Sequence, residues 1–226
     1  MKYIGSSLSE LVFPVTCACC GIKTEDIHQT ICSWCRMSRF EYSGDDIAEI
    51  LPETISSFFS MWYFDKGGYL QQLLHNLKYN HLKGVGKELG RLLAASYLRA
   101  NDSEKILQMS PLIVPVPLHK SRLRRRGYNQ ARVLAEGFSD LTNWELIDEG
   151  AIARIKNTAT QTGLTSRKRS ENIRGAFAVQ CGDQLQGRMI VIIDDVFTTG
   201  ATTFELALLI SELTNEKAEI VTVARA

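Results

Sequence analysis

The sequence has no apolar run long enough to span a bilayer. Its first ten residues, MKYIGSSLSE, do not place a basic segment before an apolar one, so they do not resemble a secretory signal. Internal repeats and low-complexity linkers are also missing. Together with a length of 226 residues and a hydrophobic content of 45%, these absences predict a soluble cytoplasmic protein. Such a chain has room for one full domain and a small appendage, and its cysteines stay reduced.

A strong net charge is also absent, because 26 basic residues face 25 acidic ones and the formal charge is +1. The molecule as a whole therefore offers no strong field for nucleic acid. The charge is unevenly distributed, however. Residues 105–135 and 151–170 contain no Asp or Glu but several Lys and Arg. These two basic zones are more informative about possible ligands than the net charge of the whole chain.

The most informative segment is IVIIDDVFTTGATT, residues 190–203. Its four leading apolar residues predict a buried parallel strand, and the loop at the carboxyl end of such a strand is where open α/β sheets bind ligands. Gly200 permits close approach of the backbone to an anion. N–H groups at the start of the following helix suit a phosphate, as do the hydroxyls of Thr198, Thr199 and Thr202. Asp194 and Asp195 can accept hydrogen bonds from the hydroxyls of a sugar.

This segment resembles the phosphoribosyl pyrophosphate (PRPP) signature of the type I phosphoribosyltransferases. The resemblance implies that the loop binds the 5-phosphate of PRPP and that the two acids contact the 2- and 3-hydroxyls of the ribose. The implied PRPP-binding residues are Asp194, Asp195, Thr198, Thr199, Gly200, Ala201 and Thr202. A buried strand followed by an ordinary polar turn explains the apolar run, but not the acid pair followed by Thr-Thr-Gly-Ala-Thr. The prediction concerns binding, because a fold can keep its pocket and lose its reaction.

Five of the six cysteines lie between Cys17 and Cys35. They include two Cys-x-x-Cys pairs separated by eleven residues, and two such turns supply a tetrahedral thiolate shell for Zn²⁺. The missing export signal disfavours a disulfide framework, and a redox pair would not need a second pair. We therefore predict a structural zinc site with the ligands Cys17, Cys20, Cys32 and Cys35. Two alternatives stay open: Cys-x-Cys spacing would let Cys19 replace Cys20, and His28 could substitute as a ligand.

The resemblance to the type I phosphoribosyltransferases also implies a second phosphate-binding loop, for the pyrophosphate, after the apolar segment Leu112–Pro115. Prolines rigidify the backbone where it leaves the sheet, and arginine forks suit a diphosphate with Mg²⁺. The alternative interpretation is that the basic stretch at residues 119–126 is a solvated face at the start of a helix. The predicted pyrophosphate-side residues are Pro117, Arg122, Arg125, Arg126 and Asn129.

The polar stretch 154–172 resembles the hood that phosphoribosyltransferases close over the active site. Closure would expel water and bring Arg154 or Lys156 to the leaving diphosphate. The predicted catalytic residues are accordingly Asp194, Asp195, Arg154 and Lys156. A plain surface loop is the alternative interpretation, although long polar loops in compact domains are usually functional or disordered.

Apolar periodicity predicts an α/β fold with a mostly parallel sheet flanked by helices. The predicted strands are residues 58–64, 112–115, 152–155, 176–179, 190–193 and 220–224, and the predicted helices are 69–78, 85–99, 129–140 and one following the 198–203 loop. Residues 1–42 are predicted to form the zinc-binding module and residues 43–226 a phosphoribosyltransferase-like domain.

Taken in order, several strings resemble the ComF family of bacterial proteins, also described as amidophosphoribosyltransferase-like. They are the double Cys-x-x-Cys, Leu77-Lys78-Tyr79, PVP with RRRGYNQ, RIKNTATQTG with RKRSENIRGAF, and DDVFTTGAT. The resemblance covers nearly the whole chain, although members usually have Phe in place of Tyr128 and Cys19 is extra. It implies a role in natural competence, the handling of imported single-stranded DNA, and DNA-uptake or recombination proteins as partners. It implies no settled transferase reaction.

Three functions follow from these patterns. The first is a cytoplasmic, phosphoribosyltransferase-like protein that binds PRPP with Mg²⁺ and acts in DNA transformation; its reaction, if any, would displace pyrophosphate from C1 with a nitrogen nucleophile. The second is a nucleobase or amido phosphoribosyltransferase of nucleotide metabolism. The third is a single-stranded DNA-binding module with a vestigial transferase pocket, in which Trp34, Tyr79 and Tyr128 offer stacking surfaces.

Overall fold

The structure is a computed structural model that describes residues 15–24, 29–43, 51–80, 82–101, 106, 111–157 and 174–226. Its strands are β1 (Ile55–Tyr63), β2 (Leu112–Pro115), β3 (Glu145–Leu146), β4 (Ile152–Arg154), β5 (Phe177–Val179), β6 (Ile190–Phe197) and β7 (Ala218–Arg225). Its helices are α1 (Ser33–Ser38), α2 (Tyr69–Tyr79), α3 (Lys83–Ala100), α4 (Lys120–Arg126), α5 (Gln130–Thr142) and α6 (Ala201–Thr214), and a 3-10 turn covers Gly182–Leu185.

The main sheet has five strands in the order β1-β7-β6-β2-β3, and every neighbouring pair is parallel. Strands β4 and β5 form a separate antiparallel pair. The α/β fold with a mostly parallel sheet flanked by helices is therefore confirmed. None of the helices in the described part of the chain has both the length and the apolar character to cross a membrane.

The central strands β2 and β6 are buried on both faces of the sheet, and their successive side chains point alternately to the two sides. Val191 and Ile193 of β6 lie in one core with residues of α2, α3 and α5. Ile190 and Ile192 lie in a second core with α6 and the β4–β5 pair. This double burial explains the continuous apolar run that precedes the two acids.

The structure lengthens the predicted strands β1, β6 and β7 and adds the elements α1, β3 and α4. Strand β6 does not end at Ile193 but continues through both acids to Phe197, because its backbone pairs with β7 as far as Arg225. The basic run after β2 forms helix α4, none of whose residues is buried. An unburied helix leaves no apolar periodicity, so the sequence pattern could not indicate it.

The cysteine segment shares the core of the sheet. Its buried residues, Cys17, Ile31, Cys35 and Phe40, belong to the same cluster as Phe59, Met61 and Trp62 of β1. Tyr42 forms an antiparallel bridge with Trp62 beside the edge strand β1. The predicted zinc module therefore packs directly on the α/β domain, and the domain boundary at residues 42 and 43 stays a prediction.

Candidate functional site

The chain reverses its direction across the sheet between the neighbouring strands β2 and β6. After β2 it passes through α4 and α5 to the outer strand β3, whereas after β6 it passes through α6 to β7 on the other side. The carboxyl ends of two such strands bound a crevice, which is the usual ligand site of open α/β sheets. A cleft of about 560 Å³ lies at this point.

The cleft is lined by residues that follow β1 and β2, by the end of β6 with the loop and the start of α6 after it, and by side chains of α2, α4 and β4. They are Phe64, Lys66, Gln71, Lys78, Val116, Leu118, Arg122, Arg154, Asp194, Asp195, Val196, Phe197, Thr198, Gly200, Ala201, Thr202 and Thr203. The predicted phosphate loop and both predicted acids therefore face one open cavity.

Gly200 caps the start of α6 in the left-handed conformation, with φ 68°. A Cβ atom at this position would lie 2.4 Å from the ring of Phe204 and 2.8 Å from the ring of Phe197. Both the backbone angle and the packing therefore require glycine. This turn directs the first N–H groups of a 14-residue helix toward the cleft, where they suit an anion.

The threonines of this loop differ in their positions. Thr198 and Thr202 line the cleft, as does Thr203, whose hydroxyl donates to the carbonyl of Gly200 at 3.0 Å. Thr199 is not among the lining residues, and its buried hydroxyl oxygen has no hydrogen-bond partner in the described part of the chain. The role predicted for Thr199 stays a prediction.

Asp194 and Asp195 have different electrostatic environments. The ammonium of Lys78 lies 2.5 Å from Asp195 Oδ2. Burial opposes ionisation of Asp195, but Lys78 outweighs it and holds the pKa of this carboxyl below its usual value. Burial and the neighbouring charge of Asp195 raise the pKa of Asp194 to about 8. The pair therefore carries about one negative charge at neutral pH rather than two.

Within the described ranges, four cations face the same cleft: Lys66, Lys78, Arg122 and Arg154. Arg154 is buried, and burial together with the charge of Arg122 lowers its pKa to about 10, so it stays protonated at neutral pH. Because cations exceed carboxylates, the cleft suits a polyanion, and the acid pair on its floor suits the hydroxyls of that ligand.

The other predicted residues lie around this cleft. Pro117 and Asn129 line an adjoining cavity of about 210 Å³, which shares Leu118 and Arg154 with the main cleft. Both ends of the Asn129 amide are engaged: Nδ2 donates to the carbonyl of Val116 at 3.0 Å, and Oδ1 caps α5 by accepting from the backbone of Ala131. This cap explains where α5 begins.

The remaining predicted cations, Arg125, Arg126 and Lys156, are not among the residues that line the cleft, although the charge of Arg126 helps to lower the pKa of Asp195. Arg125 is exposed, and Arg126 donates to Gln130 Oε1 at 2.8 Å. Lys156 is exposed and contacts the carbonyl of Arg174. Residues 158–173, which hold most of the predicted hood, lie outside the described residues. The pyrophosphate-side and catalytic roles of these side chains stay predictions.

The sequence patterns assigned no role to Lys78, Lys66, Phe64 or Gln71. Lys78 belongs to the Leu77-Lys78-Tyr79 string, which contributed only to the family resemblance. No local spacing connects α2 with the acids of β6, because their contact is made through the tertiary fold.

The cysteine cluster has the geometry of a metal site. The sulfurs of Cys17, Cys20, Cys32 and Cys35 all lie within 4.8 Å of one another. The Cys20 and Cys32 sulfurs are 3.8 Å apart, which matches the edge of about 3.8 Å of a tetrahedron with zinc–sulfur bonds of about 2.3 Å. Cys19 is not part of this group, and His28 lies outside the described residues.

Backbone donors surround these sulfurs. The N–H groups of Cys19 and Cys32 donate to the sulfur of Cys17 at 3.4 and 3.3 Å, and that of Cys35 donates to Cys32 at 3.4 Å. Such hydrogen bonds stabilise thiolates and orient them toward a cation. The donor set therefore fits a structural Zn²⁺ held by four thiolates.

Asp194→Asn should raise the thermal stability of the protein most strongly at alkaline pH. The unfolded carboxyl ionises near 3.8 and the folded one near 8, so the folded state binds the additional proton between these values. Wild-type stability should therefore fall from about pH 4 to about pH 8 because of this group. The amide cannot ionise, so the gain in melting temperature should grow over this range and then stay constant. A gain that is independent of pH in thermal denaturation would contradict the assignment.

No protein-family model matches the chain. "Competence protein F" of Haemophilus influenzae is 34% identical over 163 residues, which are 70% of this chain and 68% of that protein. "DNA utilization protein YhgH" of Escherichia coli K12 is 38% identical over 141 residues, 62% of this chain and 60% of that protein. "Competence protein ComFC" of Bacillus subtilis 168 is 33% identical over 92 residues, 40% and 34% of the two chains.

The fold and the site define an α/β protein with a cationic cleft at the carboxyl edge of a parallel sheet and a four-cysteine cluster packed beside it. The alignment to competence protein F covers more than two thirds of both proteins. The chain belongs to the ComF family. The match spans about 60% of the length of the Escherichia coli relative.

Proposed function

We propose that this protein binds PRPP together with Mg²⁺ in the cleft between β2 and β6 and acts in DNA utilization during natural competence. The observation that carries the ligand assignment is the arrangement of one cleft, in which a glycine-capped helix N-terminus adjoins two carboxylates and four cations. The names of the relatives, which refer to competence and DNA utilization, support the biological role.

The proposed ligand matches the cleft group by group. The 5-phosphate would lie at the start of α6, where N–H groups and the hydroxyls of Thr198 and Thr202 converge. The ribose hydroxyls would donate to Asp194 and Asp195. The diphosphate would lie toward Arg122 and Arg154, whose guanidinium groups suit its oxygens.

The cleft also fits a magnesium-bound ligand, because its carboxylates are hard oxygen donors and four cations balance the remaining charge of the diphosphate. Mg²⁺ would neutralise phosphate oxygens and keep several waters. The structural Zn²⁺ belongs to the same proposal, with Cys17, Cys20, Cys32 and Cys35 as its ligands.

Isothermal titration calorimetry with PRPP, ribose 5-phosphate and pyrophosphate, each with Mg²⁺, tests the ligand assignment. PRPP should bind more tightly than either fragment, because it engages the phosphate loop and the arginines at once. Absence of PRPP binding by the wild-type protein would contradict the proposal. Equal affinity for PRPP and pyrophosphate would show that the 198–203 loop does not hold the 5-phosphate.

A specific observation favours single-stranded DNA binding as a second function. The guanidinium of Arg39 lies 4.5 Å from the ring centroid of Trp34 and 3.6 Å from that of Tyr69. Trp34 is 53% exposed and Tyr69 is 42% exposed, so both rings also present surface to solvent. Exposed aromatic rings combined with arginine are typical of surfaces that stack the bases of single strands.

Trp34→Ala should weaken binding of a fluorescent oligo(dT) on the order of tenfold, because one stacking surface is lost. Met37→Ala provides the matched control, since Met37 lies on the same short helix and is 78% exposed. Fluorescence anisotropy at several salt concentrations measures both effects, and affinity should fall as salt rises. Equal affinities of the two variants would exclude this surface.

A further inference from the structure

Two strings of the sequence that lie far apart are in contact in the fold. They are Leu77-Lys78-Tyr79 at the end of α2 and the turn 126–130 between α4 and α5. The hydroxyl of Tyr128 donates to the backbone carbonyl of Leu77. The guanidinium of Arg126 lies 5.4 Å from the ring centroid of Tyr79. The turn therefore contacts the residues on both sides of Lys78.

These contacts hold the end of α2 in place. Tyr128 is buried, so the prediction that its ring offers a stacking surface is wrong. Its hydroxyl engages one of the carbonyls that the last turn of a helix leaves without an intrahelical partner. Arg126 is in turn anchored by its hydrogen bond to Gln130 in the first turn of α5. The position from which the Lys78 side chain extends is consequently fixed from two directions.

Lys78 reaches from this position to the acids of β6. Its ammonium lies 2.5 Å from Asp195 Oδ2, and its side chain is 24% exposed at the wall of the cleft. An ionised carboxylate offers about four lone-pair sites. One ion pair therefore leaves acceptor sites for a ligand while it restricts the orientation of the carboxylate.

We propose that Lys78 is a positioning residue of the sugar-phosphate site, which orients the Asp195 carboxylate for the ribose hydroxyls. In the same arrangement Arg126 acts on the ligand through the end of α2 rather than by contacting pyrophosphate. This inference rests on the proposed PRPP binding, and it assigns a function to a string that the phosphate-loop motif does not include.

Lys78→Met tests the inference, because methionine keeps the apolar stem and removes the charge. The variant should bind PRPP–Mg²⁺ on the order of tenfold more weakly in calorimetry. It should also lose preference for ribose 5-phosphate over 2-deoxyribose 5-phosphate, since a misoriented Asp195 no longer distinguishes the hydroxyl. Lys78→Arg should restore most of the affinity. Lys87→Met is the matched control, because Lys87 pairs with Glu136 on the helical surface at 3.3 Å.

Double variants separate a positioning role from direct contact. Lys78→Met combined with Asp195→Asn should bind no more weakly than the weaker single variant, because both remove the same interaction. Arg126→Ala should weaken PRPP binding in the wild-type background but not in the Lys78→Met background. If the affinity loss of each double variant equalled the product of the losses of its two single variants, the inference would be overturned. Lys78 and Arg126 would then contact the ligand directly.

The remaining outcomes distinguish this inference from the proposed function. A wild-type protein that binds PRPP, with unchanged affinity and sugar preference in Lys78→Met, would overturn the role of Lys78 alone. A wild-type protein without PRPP binding would overturn both proposals. Thermal melting of every variant checks that it folds. If Lys78→Met lost affinity equally for ribose 5-phosphate and 2-deoxyribose 5-phosphate, the effect would be a general structural one and would contradict a positioning role.

Discussion

Asp195→Asn combined with Thr202→Ala should weaken PRPP–Mg²⁺ binding on the order of a thousandfold. The first change removes the charge that accepts from the ribose and leaves Lys78 without its counterion. The second removes a hydroxyl that lines the cleft at the start of α6. Hydrogen bonds to charged groups contribute about 1.5–3 kcal/mol each, so two losses and one unpaired cation give this magnitude.

Isothermal titration calorimetry of the double variant measures the loss. Asp140→Asn is the matched control, because Asp140 also forms an ion pair, with Arg91 at 2.7 Å, on the surface of α5. This control should keep wild-type affinity for PRPP. A double variant that binds as tightly as the control would show that the ligand site lies elsewhere in the molecule.

Cys35→Ser should release the metal and lower the free energy of unfolding by several kcal/mol. Cys35 is buried, and its cluster includes Phe40 and Trp62, so loss of the metal disturbs a core that also supports β1. Metal analysis should show about one zinc per wild-type chain and almost none in the variant. The melting temperature should fall by about 10 °C.

Two other cysteines serve as controls for this result. Cys181→Ser should change neither zinc content nor melting temperature, because Cys181 is exposed and lies outside the cluster. Cys19→Ser should also keep the zinc, since the structure groups Cys20 rather than Cys19 with the other three sulfurs. Zinc retained in Cys35→Ser, or lost in Cys19→Ser, would contradict the ligand assignment.

The pattern of apolar residues was sufficient to predict the bounds of those helices and strands whose buried residues recur with one regular spacing. The helix predicted at 69–78 is observed as Tyr69–Tyr79, because its leucines at positions 70, 73, 74 and 77 form one buried stripe. Strand β2 matches its predicted bounds, since all of its residues are buried. Strand β6 was predicted too short, because the apolar run ends at the two acids. The backbone hydrogen bonds between β6 and β7 continue past these polar side chains to Phe197.

The amino-acid sequence alone determined the parts whose chemistry depends on neighbours in the chain. These parts are the 198–203 loop, the acids Asp194 and Asp195 that precede it, and the two Cys-x-x-Cys turns. Their geometry is set by the spacing of residues along a strand end or a tight turn. Only the tertiary structure decided the ion pair of Lys78 with Asp195, the burial of Arg154 and the cluster that the cysteines share with β1. These contacts join elements far apart in the chain, and the order of strands in the sheet, which no local period encodes, brings them together.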